Sequence, residues 1–138
     1  MLKKLITTKT ELFHYIDGVK IDGVHSKITG DVSRLTGDVS GLTGDVSRIS
    51  GDVTAIYGDV TGLYGDASRL RGNVSGLSGY VTDIRGDVDG LYGDVTGIIG
   101  DVTGLRGYAT GLYGNLDECN ITAEDRDDGI RISYLIEN

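Results

Sequence analysis

Residues 30 to 113 are twelve consecutive copies of one seven-residue unit, G-[D/N/Y]-[V/A]-[S/T/D]-x-[L/I]-x. Position 1 is Gly in every copy, from Gly30 to Gly107, position 3 is Val except at Ala67 and Ala109, and position 6 is always Leu or Ile. A seven-residue unit cannot bury its own apolar side chains, so burial must come from stacking neighbours, which makes the chain a repeat protein. Val and Leu recurring at spacings of three and four also fit the seam of a coiled coil. Glycine argues against that reading. Nineteen of the 84 array residues are Gly, because seven copies add another at position 5, and each costs a helix about 1 kcal/mol relative to Ala. With Val, Thr, Ser and Asp at most other positions, a helical heptad loses about 2 to 4 kcal/mol against an Ala-rich one.

The expected fold class is therefore all-β: a single-chain β-solenoid of heptapeptide repeats with a small irregular N-terminal cap and an α/β C-terminal cap. Three zones follow, with 1–29 as N-terminal cap and first coil, 30–113 as the array and 114–138 as C-terminal cap. Within a heptad, Gly at position 1 permits a positive-φ bend, Val at 3 and Leu or Ile at 6 point inward with like stacked on like, and Ser, Thr and Asp at 2, 4 and 5 face outward or bond the corner backbone. Arg34, Arg48 and Arg69 at position 5 must lie outside. A three-faced coil, as in the hexapeptide left-handed β-helix, gives a thicker core than a two-faced one and is the expected cross-section. Glu11 to Ile16 reads as a strand. Asp17-Gly18 and Asp22-Gly23 read as turns, and the phase of Ile21 and Ile28 with Leu35 starts imperfect coils near Ile16. Beyond Gly114 the pattern stops. Asn120 to Gly129 reads as a short capped helix with Thr122 as N-cap and Gly129 as its stop, Ile130 to Ile132 as a strand, and Leu135 and Ile136 as a plug for the core.

Composition narrows the function classes. There are 23 glycines, no proline or tryptophan and one phenylalanine, and the formal charge of -8 repels nucleic acid and anionic membrane alike. Cys119 stands alone, so no intrachain disulfide forms and cytoplasm is the default compartment. No stretch reaches membrane-spanning length, and Met1 to Thr10 has no apolar run behind its lysines. The sequons at Asn73 and Asn120 carry no weight without a secretory signal. His14 and His25 have no nucleophile or metal-ligand neighbours in sequence, and Asp117 and Glu118 would raise the Cys119 thiol rather than activate it. The chain reads as a non-enzyme without cofactor or metal.

Gly37-Asp38-Val39-Ser40-Gly41 resembles the pentapeptide-repeat unit, in which a small residue, Asp or Asn, a central apolar residue, Ser or Thr and often Gly follow one another. Each copy here inserts two more residues, such as Leu42-Thr43, and the likeness covers about 60% of the chain. The resemblance implies a related right-handed solenoid. Several members of that family act by nucleic-acid mimicry, so it also implies a candidate surface, the position-2 ladder of Asp31, Asp38, Asp45, Asp52, Asp59, Asp66, Asp87, Asp94 and Asp101. On three faces these nine carboxylates fall about 2 Å apart along the axis, near the duplex charge spacing of about 1.7 Å. The bland reading of the same column is a set of turn residues bonding nearby backbone. Six arginines dilute the array to a net -5.

Tyrosines form the second candidate set: Tyr57, Tyr64, Tyr92 and Tyr113 at position 7, with Tyr80 and Tyr108 at position 2. They serve as interface anchors or as ladders that cover the surface. The functional expectation is a protein-binding solenoid, in its sharpest form a mimic that blocks a nucleic-acid-binding enzyme or CRISPR effector, as a phage or mobile-element inhibitor in the host cytoplasm. The alternatives are a spacer or fibre segment of a phage tail or adhesin, and a calcium-binding solenoid, with homo-oligomers formed through the caps.

Overall fold

The computed structural model describes residues 12–136, a chain of short strands wound into a β-solenoid of about six turns. Glu11 lies outside the described residues. Each heptad repeats one local solution. Positions 6, 7, 1 and 2 form a four-residue strand, and positions 3 to 6 form a turn in which the N–H of position 6 donates to the carbonyl of position 3, as Leu42 does to Val39 at 3.0 Å. Position 1 needs glycine because its φ runs from +91° at Gly30 to +125° at Gly107, a region costly for any residue with a Cβ.

A turn closed in this way reverses the chain rather than deflecting it by a third of a circle. Successive heptads therefore land on alternate sheets, and one coil takes two heptads, which corrects the three-faced expectation. One sheet contains β1 (Leu12–Ile16), β2 (Val19–Asp22), β4 (Leu35–Asp38), β6 (Ile49–Asp52), β8 (Leu63–Asp66), β10 (Leu77–Tyr80), β12 (Leu91–Asp94), β14 (Leu105–Tyr108) and β16 (Ile130–Arg131), in the order β16-β14-β12-β10-β8-β6-β4-β1-β2. The other runs β15-β13-β11-β9-β7-β5-β3, from Gly114–Asn115 through Ile98–Asp101, Ile84–Asp87, Leu70–Asn73, Ile56–Asp59 and Leu42–Asp45 to Ile28–Thr29. Between them lies one core of Leu and Ile from both sheets, with Val39, Val46, Val53, Val60, Val74, Val81, Val88, Val95 and Val102 fully buried at the corners. Burying each such side chain contributes about 1.5 to 3 kcal/mol.

Like does not stack on like. Leu35 pairs with Gly51 and Thr36 with Asp52, an offset of sixteen residues where the sequence repeats after two heptads, and the same slip holds in both sheets. A register of fourteen would set Asp38 directly beside Asp52, and like charges across neighbouring strands destabilise a sheet. The two-residue slip sets each Asp strand end beside position 7 of the coil before it.

The ends differ from the array. At the N-terminus β1 and β2 form an antiparallel hairpin, turned by Asp17 (φ 50°) and Gly18 (φ 79°), and β1 joins β4 in parallel. Ile21 is thus an exposed hairpin residue, not the core residue of an early coil, and the first buried position-6 residue is Ile28. At the other end the pattern outlasts Gly114: Asn115 holds position 2 and Leu116 is buried at position 3. Helix α1 (Ala123–Asp128) forms as expected, with a reciprocal capping box between Thr122 and Asp125 and with Gly129 as its C-cap. The Arg126 guanidinium donates to the carbonyls of Asp101 and Thr103, both at 2.8 Å, and so ties α1 to the last coil. Leu135 packs against the core, while Ile136 is half-exposed.

Candidate binding surface

The nine ladder carboxylates occupy two corner sets. Asp38, Asp52, Asp66 and Asp94 end strands of the nine-stranded sheet, where Tyr80 and Tyr108 take the same position. Asp45, Asp59, Asp87 and Asp101 end strands of the other sheet, Asp31 follows β3, and Asn73 fills the gap. At each corner one carboxylate oxygen is already used. Thr54 donates to Asp52 Oδ1 through its N–H at 3.0 Å and its hydroxyl at 2.6 Å, and the same hydroxyl accepts the Asp38 N–H at 3.0 Å. A relay results, from the backbone of one coil through a hydroxyl to the carboxylate of the next.

The relay recurs with Thr61 between Asp45 and Asp59, and Ser75 with Asn73 keeps most of it. The hydroxyl and N–H of Thr61 hold the Asp59 carboxyl below its ordinary value of 3.8, and Ser47, Ser68 and Thr96 do the same for Asp45, Asp66 and Asp94. For Asp31 the Ser33 N–H is the larger cause. At Asp101 burial pushes upward, but Thr103 and the nearby Arg126 and Arg85 outweigh it. Position-1 glycine belongs to the same device: a Cβ on Gly37 would collide with Asp52 Oδ1 and Thr54 Oγ1 of the next coil.

The sixteen-residue register also sorts the exterior. Tyr64 and Tyr80 stand on adjacent strands with ring centroids 5.4 Å apart, and Arg48, sixteen residues before Tyr64, lies 4.7 Å over the Tyr64 ring. Tyr92 and Tyr108 repeat the arrangement at 5.5 Å, both half-exposed. Between the two pairs lie Ser78 and Asp94, themselves register partners. All four rings belong to the nine-stranded sheet. Tyr57 sits on the opposite sheet, and Tyr113 lies near its C-terminal end with 90% exposure.

Glycine at position 5 makes room for these rings. A Cβ on Gly41 would stand 2.7 Å from Tyr57 Cβ, one on Gly76 3.1 Å from Tyr92 Cβ, and one on Gly97 2.9 Å from Tyr113 Cβ. The identities sixteen apart were open to reading in the sequence, but only the register gives that number a meaning.

Arg34, Arg48 and Arg69 are exposed as expected. Arg34 donates to the Ser47 carbonyl at 2.5 Å and Arg69 to that of Thr82, while Arg85 pairs with Asp117 at 2.8 Å. Arg34 and Arg69 brace successive coils, and Arg85 reaches across two. His14, buried in β1, bonds the Gly23 carbonyl at 2.8 Å and so closes the hairpin on itself, whereas His25 bonds the Val39 carbonyl at 2.9 Å and fastens the segment after β2 to the β4 coil. Cys119 is exposed. Among the described residues no group of three or more acidic, His or Cys side chains is placed to hold a metal ion, and no helix is long and apolar enough to cross a membrane. No known protein family, curated protein or solved structure matches the chain.

Proposed function

We propose that this chain is a non-enzymatic scaffold that binds another protein through the outer surface of the nine-stranded sheet. The observation that carries the reading is the pair of tyrosine stacks, Tyr64 with Tyr80 and Tyr92 with Tyr108, set on one rigid sheet around Ser78 and Asp94. Tyrosines paired ring to ring on neighbouring strands lose little conformational freedom on binding, and such anchors dominate protein interfaces. The narrower reading, nucleic-acid mimicry through the Asp ladder, loses part of its support in a two-faced coil. Six coils rising about 4.8 Å or more place nine carboxylates no closer than about 3 Å apart on average, sparser than the duplex at about 1.7 Å. They also divide between two corner sets, and one oxygen of each relay carboxylate serves the fold.

The test compares capture of host proteins on immobilised wild-type chain, a Tyr92→Ala/Tyr108→Ala variant and an Asp52→Asn/Asp59→Asn/Asp66→Asn variant, with folding checked by circular dichroism. A scaffold acting through the tyrosines loses its partner in the first variant, by tenfold or more in affinity, and keeps it in the second. Loss only in the Asn variant, with steep salt dependence, transfers the function to the ladder and restores mimicry. A partner retained equally by all three chains overturns both.

A further inference from the structure

The two tyrosine stacks repeat one arrangement with one member missing. Tyr64 and Tyr80 stand with ring centroids 5.4 Å apart at an interplanar angle of 36°, and Tyr92 and Tyr108 stand at 5.5 Å and 37°. Ser50 and Asp66, register partners beside the first stack, return two coils later as Ser78 and Asp94 beside the second. Position 5 is where the copies part. Arg48 holds its guanidinium 4.7 Å over the Tyr64 ring, and the residue in the same place before Tyr92 is Gly76.

The missing cation leaves the second pair of rings open. Tyr92 and Tyr108 are 50% and 57% exposed, whereas Tyr64 and Tyr80 are only partly exposed. Among the described residues no other arginine takes the vacant place. Arg106, two residues before Tyr108 on β14, rests its guanidinium against Gly129, where an added Cβ would stand 2.8 Å from Arg106 Cζ, and Arg69 and Arg85 are committed to Thr82 and Asp117. Asp94, two residues after Tyr92 on the same strand, uses Oδ1 to accept the N–H and hydroxyl of Thr96, at 3.0 and 2.5 Å. Its Oδ2 accepts no hydrogen bond from the described residues.

We infer that the stack of Tyr92 and Tyr108 takes an arginine side chain of the partner protein, in the place that Arg48 takes at the other stack. The inference rests on the nine-stranded sheet being a protein-binding surface, and it names the group that this surface recognises. A guanidinium is planar and weakly hydrated, and it stacks on an aromatic face while its edge N–H groups reach a carboxylate. Tyr92 and Asp94 together offer both contacts. An ammonium brings the charge without the plane. The formal charge of -8 on the chain also favours the approach of a basic partner. Such a contact is weak while exposed and strengthens when a partner excludes water from it.

Nuclear magnetic resonance of the tyrosine rings tests the inference with Nα-acetyl-arginine methylamide as the probe. In the wild-type chain the Tyr92 and Tyr108 resonances should shift with added probe and those of Tyr64 and Tyr80 should not, because Arg48 already occupies their stack. The lysine analogue should move them less. Arg48→Gly should make Tyr64 and Tyr80 respond as well. Gly76 lies outside the positive-φ region, so a side chain there brings no backbone strain. Gly76→Arg supplies within the chain the guanidinium assigned to the partner. It should silence Tyr92 and Tyr108 and weaken capture of the partner about tenfold or more, while Gly76→Ala leaves both intact. A wild-type chain whose two stacks respond alike, or whose Tyr92 and Tyr108 do not respond at all, overturns the inference. A partner that Gly76→Arg retains and Tyr92→Ala/Tyr108→Ala loses also overturns it, and leaves the protein-binding reading standing.

Discussion

The two sheets are made from the same heptad, bury the same residue types and share one register, yet their exteriors have little in common. The nine-stranded sheet displays two tyrosine stacks, and the seven-stranded sheet displays Tyr57, Arg71, the Arg85–Asp117 pair and Ile99. The difference shows where the repeat is constrained. Positions 1, 3 and 6 answer to backbone conformation and burial, which every coil imposes alike. Positions 5, 7 and 2 answer to neighbours sixteen residues away, so the exterior varies in pairs while the interior does not.

If that division is right, interior substitutions must cost the same on either sheet. Leu63→Ala in the nine-stranded sheet and Leu70→Ala in the other remove equivalent, almost fully buried side chains, and each should destabilise the chain by about 2 to 5 kcal/mol in urea unfolding. A difference between them as large as the effect itself breaks the equivalence of the two sheets. Gly37→Ala and Gly44→Ala extend the comparison to the strand ends. Both glycines sit at φ +98°, and a Cβ on either collides with the carboxylate and hydroxyl of the next coil. Gly111, at φ +82° with nothing within 4 Å of a built Cβ, isolates the backbone cost of about 1 to 2 kcal/mol. The first two variants should lose more than Gly111→Ala, and the excess measures what the relay contributes.

Most of the fold is legible in the heptad, because burial and positive φ are local demands that recur at a fixed interval. Val39, Leu42 and Gly44 take the roles their residue types suggest, and Thr122 caps α1 through the Asp125 pairing its spacing allows. The coil cross-section is not legible, since it depends on whether the position-3 to position-6 turn reverses or merely bends the chain, and the same residues permit either. Ile21 misleads for a related reason: its phase is that of Ile28, but the Asp17-Gly18 turn folds it back before a coil can form. The candidate surface was legible as residue types and not as an arrangement. Nothing in a seven-residue period marks Tyr64 as the neighbour of Tyr80.

The smallest effect concerns the corner relay, and it should be shared by both corner sets. Asp59 and Asp94 lie one in each set, and in both the Thr hydroxyl and N–H two residues on hold the carboxyl below 3.8 in the folded chain. A carboxylate depressed by folding binds protons more readily when unfolded, so its contribution to stability is present above the unfolded value and is lost as pH falls through the folded one. Thermal unfolding followed by circular dichroism should therefore show the carboxylate-linked loss only below about pH 4, the ordinary range of an aspartate. Thr61→Val and Thr96→Val delete the hydroxyl that lowers each carboxyl and that also accepts the Asp45 or Tyr80 N–H. Each should cost about 1 kcal/mol or less at neutral pH, the net value of a solvent-accessible hydrogen bond, and shift the acid loss to higher pH. Equal shifts keep the two corner sets equivalent beneath their different exteriors. A shift confined to Thr61→Val would mean that Tyr80, which brings no carboxylate to its corner, has uncoupled the relay on the tyrosine-bearing side.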